Sequence, residues 1–153
     1  MKIYFVLVLL LFFTNTFSQD IEKLKKADTI YIYFENDDLV NQIHHKNQTS
    51  NKALHYDTYF FVMNDLNSIE FTHHYKFSNE RRYVKKSFLK RNKDLIVNFS
   101  FLKSIGKFNS VNLLFYESGK KKKLYRIEKN EIKRNKLLLK EVIASGMAPV
   151  YDE

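Results

Sequence analysis

The sequence predicts a single α+β domain built on a mainly antiparallel sheet of about six strands with short helices between them. Three observations carry that expectation. Apolar and aromatic residues alternate with polar ones in several runs of strand length. Runs of turn-forming residues of hairpin length separate some of these stretches. The segments with helical spacing are short and bounded by capping residues.

Ile21 and Leu24, three apart among charged neighbours, predict a short helix from Asp20 to Ala27. From Thr29 the period changes to two. Ile30, Ile32 and Phe34 fall on one face and Tyr31 and Tyr33 on the other, the pattern of a strand covered on both sides. Asp37 is placed to cap a short helix carrying Leu39, Val40 and Ile43, and Lys46 to Lys52 has loop composition. Asp57 to Met63 and Ser68 to Phe77 are the clearest strands, joined by the turn-formers Asn64 to Asn67. In the second, Ile69, Phe71, His73, Tyr75 and Phe77 share one face and alternate with Glu70, Thr72, His74 and Lys76.

Ser78 to Asn92 is charged, with Val84 and Phe88 four apart, and reads as an amphipathic surface helix. Leu95, Val97 and Phe99 predict another strand. A short helix follows from Ser100, its cap, to Gly106, which stops it. Val111 to Tyr116 and Leu124 to Glu128 flank Glu117 to Lys120 as a second hairpin, and Leu137 to Val142 is the last strand. Residues 143–153, which include Gly146 and Pro149, read as a tail that frays.

Residues 1–18 read as a secretory leader. Lys2 supplies the positive start, Ile3 to Phe13 are unbroken hydrocarbon, and Thr16-Phe17-Ser18 places small residues for cleavage before Gln19. The apolar run is too short for a membrane span, which needs about twenty residues, and no later stretch reaches that length. Residues 19–153 then form the exported domain, periplasmic or secreted. The Ser-Gln junction and the abundance of Lys, Asn, Ile, Phe and Tyr resemble exported proteins of Gram-negative bacteria with A+T-rich genomes.

Composition removes many function classes. With no cysteine, disulfide scaffolds, thiolate metal sites, iron–sulfur clusters and cysteine nucleophiles are excluded. The three glycines have no phosphate-loop spacing. Ser87 to Lys90 and Ser100 to Lys103 each match the S-x-x-K nucleophile signature, yet neither S-D-N nor K-T-G follows, and helix starts with Phe and Leu turned inward explain both. No catalytic residue and no cofactor is therefore expected.

The five histidines are His44, His45, His55, His73 and His74. Adjacent histidines on a strand point to opposite faces, and His73 on the apolar face reads as a hydrogen-bonded core residue. His44, His45 and His55 remain the alternative metal or hydrolytic set. Asp37 with Asp38, Glu128 with Glu131, and Glu70 with His74 are the nearest approaches to paired acid–base groups, and all read as solvated surface.

The charge balance is basic: 26 Lys plus Arg against 17 Asp plus Glu, a formal net charge of +9. An exported protein meets anionic lipids, glycans and envelope proteins rather than nucleic acid. Lys120, Lys121, Lys122 and Lys123 form the densest positive run, and Arg81, Arg82, Lys85 and Lys86 extend it if the fold brings them together. The expectation is a non-enzymatic binding protein of the envelope that uses this Lys-rich surface.

Overall fold

The structure, a computed structural model, describes residues 20–35, 40–47, 55–64, 67–75, 80–117 and 120–146. Helix α1 (Ile21–Lys26) starts where Asp20 accepts a hydrogen bond from the Lys23 backbone N–H at 3.1 Å, and it buries only Leu24. Strands β1 (Thr29–Phe34), β2 (Gln42–Asn47), β3 (Tyr56–Asn64), β4 (Asn67–His74) and β5 (Arg81–Lys85) follow. Then come α2 (Ser87–Arg91), β6 (Ile96–Asn98), α3 (Phe99–Ile105) and α4 (Lys107–Phe115). The two-residue strands β7 (Tyr116–Glu117) and β8 (Lys120–Lys121) precede β9 (Lys123–Glu128) and β10 (Lys136–Gly146).

One eight-stranded sheet runs β2-β3-β4-β10-β9-β1-β6, with β5 also paired to β10. The sheet is mixed, which corrects the expected mainly antiparallel arrangement: β1 lies parallel to both β6 and β9. Parallel neighbours need long crossovers, and hairpin-length turns reveal only antiparallel ones. The signature in the sequence was β1 itself, apolar on both faces as an internal parallel strand must be.

Strand β10 organises the sheet. Its first half pairs with β5 (Leu137↔Val84), its middle with β9 (Lys140↔Arg126) and its end with β4 (Ile143↔Thr72). It therefore continues to Gly146, into the stretch expected to fray, while residues 147–153 lie outside the described set.

Four local expectations give way to long-range pairing. Ser78 to Asn92 does not form one helix: Arg81–Lys85 is strand β5, and only Ser87–Arg91 is helical. Val84 and Phe88 suit a helix period, but Val84 finds Leu137 across the sheet. Ile43 lies in β2 opposite Phe60, not in a helix begun by Asp37, which is outside the described residues. Val111–Phe115 is the end of α4 rather than a strand, since Leu113 and Leu114 bury against the core and Ser110 Oγ donates to the Leu102 carbonyl at 2.7 Å. A short apolar run does not by itself distinguish strand from buried helix. The second hairpin shrinks to the β7–β8 ribbon.

The cap of α3 is Asn98, whose side chain accepts from Phe101 N–H at 2.9 Å, so Ser100 is already inside the helix. Gly106 ends it at φ +79°, a conformation that glycine adopts without strain.

The sheet buries both faces. One carries Ile30, Ile32, Phe34, Phe61, Ile69, Phe71, Leu124 and Val142 beneath Phe99, Leu102, Leu113 and Leu114 of α3 and α4. Phe61 sits at its centre, with ring centroids 4.6 Å from Phe34, 5.4 Å from Phe71 and 5.6 Å from Phe99. The other face carries Tyr31, Tyr125, Ile127, Leu137 and Leu139 against Phe88 of α2. Among the described residues no helix is long and apolar enough to cross a membrane.

Candidate functional site

Strand β5 reads Arg81-Arg82-Tyr83-Val84-Lys85, and only Val84 is half-buried; the other four are exposed. Its pairing with β10 sets Lys85 directly opposite Lys136. Just beyond, the Lys86 N–H donates to the Asn135 carbonyl at 2.9 Å, and a tight turn closes between Lys133 and Lys136. Two basic segments far apart in sequence thus meet at one corner, where Lys85, Lys86, Lys133, Arg134 and Lys136 are all exposed. No carboxylate of the described residues lies within 4 Å of these five side-chain charges. Like charges opposite one another on adjacent strands cost stability, and these five cations give the corner a positive local potential.

The other end of β5 is nearly neutral. Arg82 lies 3.5 Å from Glu80 and 5.1 Å above the Tyr125 ring, and Arg81 lies 5.2 Å above Tyr75. Lys123 reaches this cluster, 3.1 Å from Glu80 and 4.0 Å from Glu141. The Tyr125 hydroxyl donates to Glu80 at 2.6 Å, and Tyr125 and Lys123 together hold the Glu80 carboxyl below its usual range.

The lysine run therefore divides. Lys123 lies beside Arg82, with its charge met by Glu80. Lys122 turns inward: it is 5% exposed, and its ammonium donates to the carbonyls of Leu24 and Lys25 at 2.7 and 2.6 Å. Both carbonyls belong to the last turn of α1, where Leu24 O also accepts from the Ala27 N–H at 3.3 Å, and the lysine caps that end. Lys120 and Lys121 form β8, and their side chains lie outside the described set.

The histidines do not converge. His44 faces inward from β2, stacked on Tyr59 at 4.2 Å, while His45 packs edge-on to Phe60 on the opposite face. His55 precedes β3, where its carbonyl accepts from Tyr75 N–H at 3.2 Å. Among the described residues no three His, Cys, Asp or Glu side chains are grouped to hold a metal ion. Clefts of about 810 and 490 Å³ open beside α3, the first lined by Ile21, Lys25, Ile105 and Leu113, the second by Tyr33, Ile96 and Phe101. Neither contains a histidine or a pair of carboxylates.

What the sequence reading missed is a buried charge network beside the core. Arg126 is 1% exposed, lies 4.0 Å over the Tyr59 ring, and pairs with Glu128 through Nη1 and with Glu131 through Nη2 at 2.9 Å. Lys140 reaches the other oxygen of Glu131 at 2.7 Å. Glu128 and Glu131 are thus not the solvated pair expected: Glu128 is buried. Burial would raise its pKa, but Arg126 outweighs that and holds it below the usual range.

Next to them Asp57 accepts from the hydroxyls of Tyr75 at 2.7 Å and Tyr59 at 3.1 Å. Burial pushes this carboxyl up, while His44, 3.8 Å away, and the two tyrosines pull it well below the usual carboxylate range. His73 is fully buried, as expected of a core histidine, with Nδ1 2.7 Å from the Glu141 carbonyl. Desolvation lowers its pKa, so the ring is neutral and Nδ1 donates. Each carboxylate faces a fixed cation or hydroxyl, an arrangement that holds charge in place. The signal for it lay in β9, where Arg126 and Glu128 share a face with buried Leu124.

Both S-x-x-K stretches are helix starts with their apolar residues inward: Phe88 in α2 and Leu102 in α3 are buried. Comparison of the chain with protein-family models, with curated proteins and with solved structures returned no match.

Proposed function

We propose that this chain is an exported, non-enzymatic binding protein of the bacterial envelope, and that it holds an anionic partner on the basic surface around β5. One observation carries the reading. The β5–β10 register gathers Lys85, Lys86, Lys133, Arg134 and Lys136 on one exposed corner without a neighbouring carboxylate among the described residues. Arg81, Arg82 and Lys123 continue it toward Glu80. Unpaired surface cations of one sign raise the local concentration of anionic partners and steer their approach.

Export rests on the leader pattern of residues 1–18. N-terminal sequencing of the protein from fractionated cells gives a start at Gln19 if the reading holds, and a start at Met1 in the cytoplasm if it fails.

Binding is tested by capture from envelope extract at about 50 and about 300 mM salt, comparing the wild type with Lys85, Lys86, Lys133 and Arg134 all changed to Gln. The expected outcome is a ligand retained by the wild type at low salt, weakened at high salt, and lost by the folded variant. Equal retention by both proteins rejects the corner as the binding surface.

A further inference from the structure

Strand β5 pairs with β10 on one side, and among the described residues no strand occupies its other side. A sheet edge of this kind presents backbone N–H and C=O groups to any extended chain that meets it. The other ends of the sheet are β2 and the three-residue β6. On β5 the alternation places Arg81, Tyr83 and Lys85 on one face and Arg82 and Val84 on the other. Arg82 is engaged by Glu80, and Val84 packs beside the Phe88 cluster. Tyr83 is 68% exposed, with a cation two residues to either side.

We infer that the β5 edge receives an extended acidic segment of a partner protein as an added strand, with acidic side chains four residues apart over Arg81 and Lys85 and an apolar one between them over Tyr83. The inference rests on the binding function proposed above and specifies the partner's chemistry. A second copy of this chain does not fit: antiparallel β5–β5 pairing centred on Tyr83 sets Arg81 against Lys85 twice, and like charges opposite one another are unfavourable. The same cations that keep β5 from pairing with itself select an acidic strand. Backbone hydrogen bonds then supply affinity, and alternate side chains supply register.

The probe is a blocked heptapeptide, Thr-Glu-Thr-Val-Thr-Glu-Thr, with two further versions N-methylated on alternate sets of backbone nitrogens so that charge is kept and one hydrogen-bonding edge is lost. Anionic phosphatidylglycerol vesicles serve as the competing source of negative charge. Affinity and amide hydrogen exchange at residues 81–85 are followed with the full chain lacking its leader. Strand addition slows exchange of outward β5 amides, and at least one methylated peptide binds about tenfold more weakly. The double variant Arg81→Glu, Lys85→Glu then prefers the peptide carrying Lys in place of Glu.

Equal binding of all three peptides, or no slowing in β5, overturns strand addition and leaves the basic-surface reading standing. Binding to vesicles with none to peptide does the same and assigns the surface to lipid. Absence of binding to either probe overturns both.

Discussion

Two regions of this protein concentrate charge and treat it in opposite ways. Around Arg126, charges that are buried or half-buried each meet a partner: Arg126 with Glu128 and Glu131, Lys140 with Glu131, Asp57 with two tyrosine hydroxyls. At the β5 corner, Lys85, Lys86, Lys133, Arg134 and Lys136 are exposed and share one sign. A buried charge must be matched because low dielectric punishes an unmatched one, whereas water tolerates crowding of like charges at modest cost. Identical residue types therefore serve structure in one place and are free to serve recognition in the other.

Removing one member of the interior network breaks that contrast most severely. Arg126→Ala leaves the buried Glu128 without its guanidinium partner and Glu131 with Lys140 alone, and costs about 3–5 kcal/mol, read as a shift of the urea midpoint. A loss below 1 kcal/mol would mean that the network contributes nothing that repacking cannot restore. Phe61→Ala, which removes the ring shared by Phe34, Phe71 and Phe99, costs a comparable amount by cavity formation and serves as the apolar reference.

Acid sharpens the comparison next. His73 is held neutral, so below its usual value of 6.5 the unfolded chain takes up a proton that the folded chain refuses, and stability falls as the pH drops. Glu128 and Asp57 are held ionised, so their contribution is complete above their usual values of 4.5 and 3.8 and is lost as the pH falls through the lower folded values. Urea midpoints measured from about pH 8 to about pH 3 fall in two stages, and His73→Gln removes the upper one. A flat profile over this range would contradict the burial of all three groups.

Lys122 tests a lysine of the run that behaves as an interior residue. Lys122→Met removes the ammonium donor from the Leu24 and Lys25 carbonyls, leaving Leu24 O only the Ala27 N–H, and costs about 1–3 kcal/mol. Thermal melts that do not shift would return Lys122 to the surface. The smallest effect is at the corner: each of Lys85, Lys86, Lys133 and Arg134 changed to Gln alters stability by less than about 0.5 kcal/mol while reducing binding. A clear loss of stability there would make the corner structural and erase its difference from the interior.

How much of this was legible depended on distance along the chain. The β3–β4 hairpin, the inward face of β4 with Ile69, Phe71 and His73, the short helix α1 and the stop at Gly106 all follow from spacing within a few residues. Arg81, Arg82, Lys85 and Lys86 were visible as a cationic group, but on a helix rather than an edge strand. Their neighbours Lys133, Arg134 and Lys136 were not visible as neighbours, because only the register Lys85↔Lys136 joins them.

By itself the sequence determined the basic balance, the absence of cysteine and those elements whose period and caps are local. Tertiary structure alone decided that β1 lies between two parallel strands, that Val84 enters a strand, that Lys122 turns inward and that Arg126 is buried against Tyr59. The physical reason is one of range. Helix caps and side-chain alternation are set by neighbours within about a turn, whereas a strand's partner, and with it the burial of every charge the strand carries, is chosen across the chain by which edges meet.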